Sequence, residues 1–104
     1  MEKWVLIQSD GDRFILEGQE VFIGREPTND LTIPDPHLSR HHVRLALVDG
    51  VWMIDDLGST LGTTVNGSPL RGAVELHAGD KILLGRTIAL EVGIQRAGFC
   101  FTFR

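Results

Sequence analysis

Short apolar runs alternate with polar punctuation along the chain. "KWVLIQ" (3–8) gives way to "DGD"; "RFIL", "EVFIG" and "LTI" follow, the last stopping at Pro34. In "VRLAL", Val43, Leu45 and Leu47 fall on one face of an extended chain and Arg44 and Ala46 on the other. Ile88, Leu90 and Val92 share a face in the same way, as do Phe99, Phe101 and Phe103. Asp49-Gly50 separates "VRLAL" from "VWMID", and Asn66-Gly67 separates "TTV" from "SPL". Both dipeptides tolerate the positive φ that a two-residue hairpin turn demands. Pro69 confines its strand to a sheet edge, because it has no N–H to give to a further neighbour. "AVEL", "KILL", "IALEV" and "FCFTF" complete the set. No segment keeps a helical period through three turns. One-sided strands at this spacing are buried by packing two sheets face to face. The pattern predicts an all-β fold, a two-sheet antiparallel β-sandwich of about eleven short strands.

Three irregular segments, 25–30, 34–41 and 57–63, are longer than the tight turns elsewhere. Loops on a rigid sandwich are where binding groups usually sit. If these three emerge at one end, their polar side chains converge there.

Composition narrows the chemistry. The 104 residues suit one domain over 1–104, and 42% hydrophobic residues suffice for a core. No apolar run approaches the roughly 20 residues of a membrane helix, and "MEKWVLIQSDGD" lacks the marks of a signal peptide. The expectation is therefore no membrane insertion. A lone cysteine, Cys100, forms no internal disulfide and fits a reducing compartment, so a cytoplasmic location is expected, for the chain itself or as a cytosolic domain of a larger protein. The formal charge of −4 argues against nucleic acid as a partner, which usually meets a basic face. It does not argue against a single phosphate, which responds to two or three neighbouring donors.

The polar residues of the loops fit anion binding better than catalysis. Arg25 leaves a strand end beside Gly24, which permits close backbone approach, and offers a planar fork of donors or a pairing with Glu26 or Asp30. Ser39 can donate its hydroxyl to an oxyanion or close a turn, and Arg40 can add a second positive charge. His42 can use both ring nitrogens to tie one loop to another. Thr60 lies in a loop flanked by Gly58 and Gly62 that could cradle an anion with backbone N–H groups. That loop lacks the lysine and helix of a nucleotide P-loop. His37, His41 and His42 alternate poorly for metal ligation, so no metal is expected. Ser39 and His42 lack an oriented base, and Cys100 lies far along the chain, so no enzyme activity and no cofactor are expected.

In order, "GR" (24–25), "SRHH" (39–42), "DLGST" (56–60), "NG" (66–67) and "LHAGDKILLG" (76–85) resemble the signature of the forkhead-associated (FHA) domain, from about residue 21 to 92. The resemblance implies an FHA/SMAD-like sandwich that binds phosphothreonine-containing proteins or peptides, the products of Ser/Thr kinases, through loops at one end. On that pattern Arg25 and Ser39 contact the phosphate, Arg40 adds positive potential, and Thr60 reaches the phosphate or the adjoining peptide. Gly24, His42, Asn66 and Gly67 hold the loops in shape. Leu61 stands where the family usually has an asparagine whose amide grips the peptide backbone, a bond leucine cannot make. Two functions follow as alternatives: a phosphothreonine-dependent interaction module, or an assembly module using the same fold without phosphorylation.

Overall fold

The structure is a computed structural model and describes residues 2–96 and 99–101. Its strands in chain order are β1 (Glu2–Gln8), β2 (Arg13–Ile15), β3 (Glu20–Gly24), β4 (Leu31–Thr32), β5 (Val43–Val48) and β6 (Val51–Asp56). They continue as β7 (Thr63–Val65), β8 (Ser68–Pro69), β9 (Val74–Glu75), β10 (Lys81–Leu84), β11 (Ile88–Arg96) and β12 (Phe99–Phe101). One sheet runs β2-β1-β11-β10-β7-β8, with β12 pairing β11 beyond the end of β10; the other runs β4-β3-β5-β6-β9. The expected two-sheet sandwich is what the chain forms. The common face of Phe99, Phe101 and Phe103 and the setting of the Cys100 thiol lie outside the described residues.

Both hairpin dipeptides turn where their chemistry allows. Asp49 and Gly50 have φ of 51° and 80°, and Asn66 and Gly67 have 52° and 85°. Pro69 closes β8 at the margin of its sheet, as a residue without an N–H must. One pairing departs from the antiparallel rule. β4 lies parallel to β3, with Ile23 opposite Leu31 and Gly24 opposite Thr32. Residues 25–30 loop back alongside the last residues of β3, so β4 re-enters in the same direction.

The core lies between the sheets. Leu6, Ile82, Leu84, Leu90 and Val92 come from one sheet and Val21, Ile23, Val43, Leu45 and Ile54 from the other, all essentially inaccessible to water. Burying each such side chain contributes about 1.5–3 kcal/mol. Two core residues, Ile33 and Leu38, belong to the loop between β4 and β5. They plug into the sandwich on either side of Pro34-Asp35-Pro36-His37. That burial fixes the backbone immediately before Ser39.

Candidate functional site

The three irregular segments meet at one end of the sandwich. The Arg25 N–H donates to the Ser39 carbonyl at 3.1 Å, and the Glu26 N–H to the Arg40 carbonyl at 3.1 Å. The Thr60 N–H donates to Ser39 Oγ at 3.0 Å, bringing the third loop onto the second. Arg25, Ser39 and Thr60 thus form one continuous junction. Because Ser39 Oγ already accepts from Thr60, its hydroxyl proton remains available to an incoming acceptor.

Arg25 is held and yet uncommitted. Its Nε donates to the Leu38 carbonyl at 3.1 Å, which sets the guanidinium plane. It makes no ion pair with Asp30, whose Oδ2 accepts the Phe22 N–H at 2.8 Å. Among the described residues, neither Arg25 nor Arg40 takes part in an ion pair. Two exposed guanidinium groups therefore stand beside a serine hydroxyl on an otherwise acidic molecule. Glu26, Ser39, Arg40, His41 and Leu57 line a depression at this end.

The frame under these groups is made of buried polar side chains. His42 is fully buried, receives the Ser39 N–H on Nδ1 at 3.1 Å and meets the Gly62 carbonyl through Nε2 at 2.9 Å. The Ser39 N–H can only donate, so Nδ1 accepts and Nε2 carries the proton. One imidazole thereby ties the loop after β4 to the loop before β7, and the two sheets to each other. Gly24 has no side chain for a steric reason: a Cβ there would lie 2.2 Å from the Arg40 carbonyl oxygen.

The glycine-flanked loop at 57–63 is not an anion cradle, which corrects the expectation for its backbone amides. Asp56 occupies the place an anion would take. Its Oδ1 accepts the N–H groups of Gly58 at 2.8 Å and Ser59 at 2.7 Å, and its Oδ2 accepts the Ser59 and Thr63 hydroxyls at 2.6 Å each. The Gly62 N–H goes to Ser59 Oγ at 3.0 Å. Burial is the largest single influence on Asp56 and pushes its carboxyl up. The Ser59 and Thr63 hydroxyls and the Ser59 and Gly58 amides together outweigh it and hold the group below the usual carboxylate range.

Asn29 and Asp56 are supports that the sequence pattern does not single out. Buried Asn29 donates from Nδ2 to the carbonyls of Glu26 and Arg40, both at 2.7 Å, and its Oδ1 meets His41 Nδ1 at 3.1 Å. The readable signal for Asp56 is an acid followed at +2 and +3 by Gly58-Ser59, the composition of an Asx turn. Asn29 carries no comparable local mark. Asn66 and Gly67 lie at the opposite end of β7 from Gly62, where Asn66 bonds Asp80 at 2.9 Å and the Lys81 N–H at 2.9 Å. They shape the β7–β8 hairpin. Leu61 is half-buried on the other flank, in a groove with Thr64, Pro69, Leu70, Leu83 and Arg86.

A two-sheet β-sandwich that presents an arginine and hydroxyl junction on rigidly braced end loops defines a class of binding domain. The FHA domain family model matches residues 21–85, so the chain belongs to the forkhead-associated family. It is 35% identical over 77 residues to the FHA domain-containing protein FhaB of Mycobacterium tuberculosis, covering 74% of this chain and 50% of that protein. It is 37% identical over 76 residues to the glycogen accumulation regulator GarA of Mycolicibacterium smegmatis, covering 73% of this chain and 48% of that one. The chain thus spans about half the length of these relatives. Among solved structures, one described as an analysis of phosphothreonine-dependent FHA domain interactions superposes with a TM-score of 0.80 at 33% identity, covering 86% of this chain and 94% of that one.

Proposed function

We propose that this chain is a phosphothreonine-dependent protein interaction module, not an enzyme, whose partner is a peptide segment phosphorylated by a Ser/Thr kinase. The observation that carries the reading is the junction itself: Arg25 and Arg40, without carboxylate partners among the described residues, beside a Ser39 hydroxyl whose oxygen accepts the Thr60 N–H. Arg25 and Ser39 bind the phosphate, Arg40 adds positive potential, and Thr60 presents its exposed hydroxyl to the phosphate or the peptide. A phosphothreonine carries roughly −1.5 to −2 charges at neutral pH and three acceptor oxygens. Each charge-assisted hydrogen bond contributes about 1.5–3 kcal/mol, so two suffice to separate phosphorylated from unmodified peptide by a hundredfold or more. The FHA structure described by its phosphothreonine-dependent interactions supports the assignment. The absence of a helix long and apolar enough to cross a membrane among the described residues is compatible with the cytosolic setting that we infer for such a partner.

The test is a titration of wild type and Arg25→Ala with phosphothreonine, phosphoserine and unmodified peptides of one sequence. Wild type binds the phosphothreonine form, and Arg25→Ala weakens that binding at least tenfold. Equal affinity for modified and unmodified peptides would instead favour the phosphorylation-independent assembly role, which Leu61 in place of a polar clamp would then serve.

A further inference from the structure

Leu57 is one of two large hydrophobic side chains exposed among the described residues, at 39%. Its backbone is not loose: the Leu57 N–H donates to the His42 carbonyl at 2.9 Å, carrying on the pairing of β6 with β5. Leu57 sits with Phe22, Thr28, Asn29 and His41 around a shallow, mostly apolar depression. The wall opposite Leu57 is equally fixed. Asn29 Nδ2 is committed to two carbonyls, so Oδ1 is the acceptor and His41 Nδ1 the donor in their 3.1 Å bond. Leu57 and His41 also line the depression that holds Ser39 and Arg40. The apolar depression and the anion site therefore share a wall, and a chain leaving one enters the other.

From this shared wall we infer that the phosphopeptide is read at a second point. An uncharged aliphatic side chain of the same peptide, to one side of the phosphothreonine, packs against Leu57, Phe22 and the His41 ring. The inference rests on the phosphothreonine reading and adds to it a preference that Leu61, on the opposite flank, does not supply. The lining carries no carboxylate or guanidinium, so a charged side chain entering there would lose hydration without gaining a partner. Both walls are braced before the ligand arrives, so little ordering opposes the contact.

The experiment is a phosphothreonine peptide series in which each of the three positions on either side is set in turn to Leu, Ala or Asp, titrated against wild type and Leu57→Ser. The side chain at 57 is exposed, and equal melting temperatures verify that the variant folds. At one position on one side, Leu is expected to bind wild type roughly five- to tenfold tighter than Ala, the factor that burying part of an aliphatic side chain supplies. In Leu57→Ser that ratio falls to near one. A ratio that survives Leu57→Ser, or phosphate-dependent binding with no apolar preference at any position, overturns the inference and leaves the phosphothreonine reading intact. Loss of all phosphate dependence in wild type overturns both. A concentration-dependent dimer that Leu57→Ser abolishes, without any peptide preference, assigns the patch to a second copy of the chain and likewise overturns it.

Discussion

At the residue scale, two polar groups decide whether the junction exists: buried His42 and half-buried Asp56. His42 serves as donor to one loop and acceptor from another. His42→Ala leaves the Ser39 N–H without its partner and opens a cavity where the ring lay. The expected loss is about 2–4 kcal/mol, seen as a melting temperature lower by roughly 10 °C or more. Asp56 adds a pH dependence of definite sign. Its folded-state carboxyl titrates below its ordinary value. Its contribution is therefore complete above the unfolded carboxylate pKa of about 4 and is lost as pH falls through the folded value. Asn at this position cannot accept four donors. Wild type should exceed Asp56→Asn in melting temperature by a constant margin between pH 8 and 5, and that margin should shrink below pH 4. A margin independent of pH would mean that the carboxylate charge is not what the loop uses.

At the level of elements, strands and turns were legible because their causes are local. The alternation of Val43, Leu45 and Leu47, the dipeptides Asp49-Gly50 and Asn66-Gly67, and the edge proline each act within a few residues. The bracing of the loops was legible only in part. His42 could be read as a tie, since its ring offers two opposed functions. The place of Asn29 could not, because its carbonyl partner on Arg40 is eleven residues away and is reached only once both loops have folded. The same non-locality hid the fate of the 57–63 amides: glycines suggested an open cradle, and Asp56 had already filled it. Leu61 is the element-scale question for binding. It follows the Thr60 contact directly, in a loop whose backbone Asp56 and Ser59 hold rigid. Leu61→Asn should tighten phosphopeptide binding several-fold by restoring an amide to that rigid position. Calorimetry on one phosphothreonine peptide would measure it, and an unchanged affinity would mean that the peptide backbone does not pass this residue.

Across the whole molecule, the anion site and the core are one cooperative structure. Leu38 is in the core and Ser39 in the junction; His42 immediately precedes the core strand β5 and closes the junction. A ligand that grips these loops should therefore stabilise the entire sandwich. At a hundred times its dissociation constant, a phosphothreonine peptide adds about 2.7 kcal/mol. For a domain of this size that raises the melting temperature by roughly 10 °C or more. A thermal scan with phosphorylated and unmodified peptide would read the difference directly, and Arg25→Ala should erase it.

The ring of Pro69 carries a last consequence. Where the larger sheet ends at β8, the outermost strand is two residues long and lacks an amide hydrogen at one of them. A strand from another molecule would find too few donors there to extend the ladder. That border resists recruitment into fibrils, so the molecule can expose its binding loops for recognition without this margin becoming a template for runaway stacking.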